Sequence, residues 1–188
     1  MHENRILIHK LKNFENINSN FLKITLMLFG SILLAISAKV QVPFWPVPMT
    51  MQTFVIFLIG MTYSVRLSFA TVAFYLFQGA IGLPVFAAGG GVAYLVGPTA
   101  GYLYGMLFAS IFISYLANLG FSKTYFKATV SLLIGSAIIF SFGIIYLGYI
   151  IGFEKAVAAG LLPFIPSELF KIALAVALIP TLHKIITK

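Results

Sequence analysis

The stretch LSFATVAFYLFQGAIGLPVFAAGGGVAYLVGPTAGYLYGMLFASIFISYLANLGFS, Leu67 to Ser122, runs for 56 residues without a charged side chain. One membrane-spanning helix uses about 20 residues, so this run holds more than one. The Gly- and Pro-rich section Gly79 to Pro98 divides it. The expectation is a helix over Leu67–Ile81 and another over Thr99–Leu119, with Pro98 suited to the first turn of the latter. Outward from this run the same pattern repeats. Phe21 to Val40 carries Lys23 as its only charge and is of spanning length. Ala35-Ile36-Ser37-Ala38 resembles a signal-peptide cleavage site, but the long leading segment and the many apolar stretches that follow favour a first membrane helix. Pro43, Pro46 and Pro48 then block helix continuation, which predicts an ordered loop over Gln41–Met49 and a helix over Thr50–Val65. Thr50 is suited to cap that helix. Beyond Lys123 and Lys127, Ala128–Gly152 and Pro166–Ile186 read as two more helices, joined by a connection over Phe153–Ile165. The reading is an all-α, polytopic membrane protein: a polar segment 1–20, then one domain, 21–188, of six transmembrane helices.

Composition agrees. Hydrophobic residues make up 61% of the 188 residues and charged residues 9%, against about 25% charged in soluble domains. That excludes an ordinary soluble enzyme or a disordered chain. The net charge of +8 has a topological cause. With six spans both termini share a side. That side and its loops hold Arg5, Lys10, Lys12, Lys23, Arg66, Lys123, Lys127, Lys184 and Lys188, and the other side holds Lys39, Lys155 and Lys171. Nine against three places both termini in the cytoplasm and requires no nucleic acid. There are no cysteines and no aspartates, and the acids are Glu3, Glu15, Glu154 and Glu168. His2, His9 and His183 lie near the ends. Catalytic residues, a metal cluster and a cofactor are therefore not expected.

Function is expected where apolar economy is broken. The three-proline loop carries the only tryptophan, Trp45, beside Phe44; it suits a ligand lid or an interfacial anchor. The run Gly82 to Gly91 contains Phe86 and ends in Gly89, Gly90 and Gly91, with Tyr94 following. Non-helical backbone at membrane depth is tolerated where it lines a cavity, so this run is a candidate site. Glu168 and Lys171 are i, i+3 neighbours on one helix face. They are the one acid and base placed together inside an expected span, and charges there are costly. Small residues at four-residue spacing (Ser31/Ala35, Gly101/Gly105/Ala109, Gly148/Gly152, Ala173/Ala177) suit close helix packing within the bundle, or docking of a second membrane protein.

VPFWPVPMTMQTFVIFLIG (Val42 to Gly60), YLFQGAIGLPVFAAGGG (Tyr75 to Gly91), GPTAGYLYG (Gly97 to Gly105) and the closing IPSELFK (Ile165 to Lys171) together resemble the BioY family. These are biotin-binding membrane subunits, or S components, of energy-coupling-factor transporters. The resemblance implies a six-helix subunit of the cell membrane that captures biotin from outside. It implies that Glu168 and Lys171 help hold the ureido ring, with glutamate standing where aspartate is usual. Leu103 and Gly89 stand where some members carry a basic and a polar residue, which leaves the tail carboxylate without an obvious partner. Residue chemistry adds Trp45, Phe44, Phe86 and Tyr94 as cover for the ring system, and the N–H groups around Gly89 and Gly90, or the positive ends of the fourth and sixth helices, as partners for the tail.

Transport needs a free-energy source. No GxxxxGK[ST] loop is present, nor a chain of buried acids or histidines. The resemblance implies a separate transmembrane coupling subunit and two cytoplasmic ATPases, with Ser31 and Ala35 on the coupling face. The alternative is a stand-alone secondary carrier for biotin or another small organic anion.

Overall fold

The structure, a computed structural model, describes residues 19–186, with side chains from 20 to 181. The polar segment 1–20 lies outside that range but for its last two residues, as do Lys188 and the side chains of His183 and Lys184. The chain is helical almost throughout. The elements are α1 (Ser19–Lys39), a two-stranded antiparallel pair β1 (Gln41–Val42) and β2 (Met49–Thr50), α2 (Gln52–Thr62), α3 (Val65–Ala80), a one-turn α4 (Val92–Leu95), α5 (Ala100–Asn118), α6 (Tyr125–Ile151), α7 (Phe153–Gly160) and α8 (Ile165–Ile186). Four apolar helical stretches are long enough to cross a bilayer: 20–39, 100–118, 125–151, and 153–181, which joins α7 to α8.

All six expected helices begin and end within about three residues of these elements. The second is shorter than expected. It starts at Gln52 and stops at Thr62, because Tyr63 and Ser64 are both extended. Its 11 residues rise about 16 Å at ~1.5 Å per residue, short of the hydrocarbon thickness of about 30 Å. α2 by itself is therefore shorter than a full spanning rod. Thr50 belongs to β2 rather than to a helix cap position, yet its hydroxyl does accept the Gln52 N–H at 3.3 Å. The connection expected over Phe153–Ile165 contains a helix of its own, α7, and a turn of 3-10 helix over Leu162–Phe164.

Side-chain placement explains why the chain needs lipid. Along α1, Phe21, Ile24, Phe29, Ile32 and Ile36 are more than half exposed, while Gly30, Ser31, Leu34 and Ala38 are buried. An apolar outer face this extensive is incompatible with water. The small residues do the opposite job. A Cβ on Gly105 would stand 2.8 Å from the Cα of Ile139, and one on Gly101 would strike the backbone of Phe142. The spacing Gly101/Gly105 thus seats α5 on α6 inside this bundle. Gly30 does the same for α1 against α3, where an added Cβ would press on Thr71 Cγ2 at 2.7 Å. Gly148 lies under the Phe153 ring, whereas Ala173 and Ala177 are exposed.

The C-terminal end of α1, the start of α2, the end of α3, the start of α5, the end of α6 and the start of α8 share one end of the bundle, as an antiparallel up-and-down order requires. The β1–β2 pair, with Gln41 opposite Thr50 and Val42 opposite Met49, and the segment 82–99 lie at that end.

Candidate functional site

The start of α8 brings Glu168 and Lys171 into the interior. Each residue is only 4% exposed. Their i, i+3 spacing puts both on the face that packs against α2 and α6, and the ion pair is 3.2 Å. Two hydroxyls complete it. Thr53 Oγ1 of α2 donates to Glu168 Oε2 at 2.8 Å and accepts from Lys171 Nζ at 3.1 Å. Ser136 Oγ of α6 donates to Glu168 Oε1 at 3.0 Å. A buried charge is tolerable when paired and hydrogen-bonded in this way. The bonds do not exhaust the pair. An ionised carboxylate offers about four acceptor sites and an ammonium three donors; three and two of these, respectively, are used. At least one acceptor and one donor remain side by side.

These groups line a cavity with ≈ 500 Å³ of empty space, part of it open to solvent. Gln52, Thr53 and Thr50 add polar atoms, and the remaining wall is largely apolar: Val47, Pro48, Ala87, Tyr94, Tyr102, Leu103, Met106, Ile139, Phe140 and Phe164. The lining residues carry no charge other than Glu168 and Lys171. Gln52 is held by its neighbours. Its Nε2 donates to Tyr75 Oη at 2.8 Å and its Oε1 accepts from Thr50 at 2.9 Å.

Not all the expected site residues reach this cavity. Glu168, Lys171 and Tyr94 line it. Phe86 does not; it is fully buried behind Tyr94, stacked on that ring at 4.9 Å and edge-on to Tyr75 at 5.4 Å. Trp45 is 82% exposed and outside the lining, whereas its neighbours Val47 and Pro48 are part of the wall. Gly89 and Gly90 are also outside it. Backbone groups of the glycine run are engaged in shaping the turn: Gly89 exchanges two hydrogen bonds with Phe86, and Gly91 N–H donates to Gly79 O at 2.7 Å. Gly91 has φ +99°, and a Cβ on Gly90 would run into the Leu83 carbonyl. The run is a tight turn that sets Phe86 and Ala87 in place. Thr53, Gln52 and Ser136 were not singled out from sequence. Gln52 and Thr53 are the adjacent polar residues opening an apolar helix, a readable signal; Ser136 is one of three serines along α6, with Ser131 and Ser141, and nothing local distinguishes it from them.

A family model described as the BioY family matches residues 10–188. The chain belongs to the BioY family. Relatives within it include a protein of Rickettsia prowazekii named a probable biotin transporter BioY, 34% identical over 89% of this chain and 86% of its own length. A Thermotoga maritima protein named biotin transporter BioY is 36% identical over 81% of this chain and 90% of its own length. The crystal structure of an S-component for biotin from an ECF-type ABC transporter is similar at a TM-score of 0.78 and 25% identity, covering 90% of this chain and 95% of that one. The BioY membership and the apolar helices make this a multi-pass membrane protein. Of the two residues expected on a coupling face, Ser31 is fully buried within the chain and donates to the Leu28 carbonyl at 2.9 Å. Ala35 is half-buried.

Proposed function

We propose that this chain is the biotin-binding subunit of an energy-coupling-factor transporter in the cell membrane, and that biotin is captured in the Glu168–Lys171 cavity. The observation that carries the reading is the buried pair, with a spare acceptor beside a spare donor at the wall of an apolar cavity. Biotin has an apolar bicycle and a ureido group with two donors and one acceptor. Glu168 accepts a ureido N–H and Lys171 donates to the ureido oxygen, in charge-assisted bonds. Tyr94, Phe140 and Phe164 cover the bicycle. Phe86 supports Tyr94 from behind, the glycine run with Gly89 and Gly90 holds Ala87 at the wall, and Trp45 stands at the outer edge of the loop. Calorimetric titration of the purified chain tests this: saturable binding of one biotin is expected, with weaker binding of dethiobiotin and none of thiamine. No heat with biotin, or equal affinity for thiamine, would reject it.

Because Tyr94 lines the cavity and Trp45 does not, the two aromatic substitutions should separate. Tyr94→Ala is expected to weaken biotin binding roughly tenfold, by loss of aromatic burial. Trp45→Ala should change it less than about twofold. Equal losses in the same titration would place Trp45 over the ligand.

Energy comes from elsewhere in this reading: a transmembrane coupling subunit and two cytoplasmic ATPases, with the termini on the cytoplasmic side. A coupling partner meeting α1 would touch Ala35 with the exposed Ile32 and Ile36 rather than Ser31. Uptake of labelled biotin that stops on ATP depletion while the proton gradient is kept supports this scheme; uptake that persists supports a stand-alone carrier.

A further inference from the structure

A monoanionic ligand brings a charge that the cavity itself does not balance. Glu168 and Lys171 are the charged residues of the lining, and they neutralise one another at 3.2 Å. If the head of the ligand engages that pair, the carboxylate tail extends from it along the cavity, whose wall at the loop end holds Val47, Pro48, Thr50 and Ala87. One cation stands beside that wall. Lys39 closes α1, and its Nζ donates to the Phe86 carbonyl at 2.6 Å. The next residue, Ala87, lines the cavity. Gln41 anchors the same place by donating its Nε2 to the Ala87 carbonyl at 3.3 Å, while its ladder partner, Thr50, lines the cavity. The Phe86 carbonyl occupies one of the three ammonium donors, and among the described residues Lys39 has no carboxylate partner. Its charge is therefore uncommitted next to the Ala87 wall, just outside the lining residues.

We propose that Lys39 is the counter-ion for the ligand's carboxylate tail and the residue that selects acidic over neutral forms of the ligand. This rests on the biotin reading above. The tie to Phe86 gives the ammonium a fixed position, so that the tail meets a preorganised charge. The position is partly solvent-exposed, and the interaction is accordingly sensitive to salt.

The test measures affinities of biotin and of its neutral methyl ester for the purified full chain, for Lys39→Met and for Lys39→Arg. For Lys39→Met, biotin affinity is expected to fall roughly tenfold, as for loss of a charge-assisted hydrogen bond, with the ester unchanged. Lys39→Arg restores most of the loss, and high salt narrows the gap between wild type and Lys39→Met for biotin alone. Equal weakening of acid and ester would make Lys39 a structural tie between the loops and overturn the proposal. So would unchanged biotin affinity, or a wild-type chain that binds the ester as tightly as the acid. A wild-type chain that binds neither compound would reject the biotin reading itself, and the Lys39 assignment with it.

Discussion

The double substitution Glu168→Leu with Lys171→Met is expected to abolish measurable biotin binding while leaving a bundle more stable than either single variant. Each single change strands a charge in the interior. Lys171→Met leaves the Glu168 carboxylate with two hydroxyls and no cation; Glu168→Leu leaves the ammonium with Thr53 alone. Breaking a buried pair in this way costs about 3–5 kcal/mol, whereas replacing both partners with apolar groups of similar size is often neutral or stabilising. Thermal unfolding of the purified variants should therefore show two depressed single variants and a recovered double one. Binding follows the opposite logic. The pair contributes hydrogen bonds to a neutral ureido head from charged groups, each worth about 1.5–3 kcal/mol, so affinity should fall by roughly ten- to a hundredfold in each single variant and by roughly a hundredfold or more in the double one. A double variant that is well folded and binds within about threefold of wild type would remove the pair from the site.

The second large effect lies outside the cavity, at Gly79. An added Cβ at this position would overlap the Cζ edge of the Phe86 ring. Phe86 is fully buried and carries Tyr94 stacked upon it, so Gly79→Ala must displace both rings. Overpacking of this kind typically costs about 1–3 kcal/mol, and here it also moves a wall of the cavity. A loss of biotin affinity of about tenfold or more is expected, together with a lower unfolding temperature. Gly97→Ala is the control. The nearest atom its Cβ would meet, the Ala93 carbonyl oxygen, is at 3.4 Å, and little change is expected in either measurement. Comparable losses at both positions would mean that helix stability rather than the Phe86 seat is responsible.

Much of the fold is readable in the chain because lipid imposes a simple code. The uncharged run Leu67–Ser122 and its Gly79–Pro98 interruption give α3 and α5 nearly to the residue. Glu168 and Lys171 are conspicuous for the same reason: charges are rare in spans, and their i, i+3 spacing fixes a shared face. The second helix ends earlier than its apolar run, at Tyr63-Ser64, a break that carries neither proline nor glycine to mark it. What lipid erases is the inside–outside signal. Ser31 faces the core and the adjacent Ile32 faces outward, yet in a membrane helix both faces are apolar, so periodicity does not tell a docking face from a packing face. Trp45 and the consecutive glycines are prominent in the sequence, yet none of them lines the cavity. An exposed tryptophan suits a headgroup layer as well as a ligand, and consecutive glycines here serve a turn that brings Phe86 against Gly79. Ser136 acquires its meaning from Glu168, 32 positions away.

The most direct test is an experimental structure of the chain with biotin bound. The ureido ring should lie between Glu168 and Lys171, each within hydrogen-bonding distance of it, with Tyr94, Phe140 and Phe164 around the bicycle. Biotin found elsewhere, with the Glu168–Lys171 pair making no contact to it, would contradict the account.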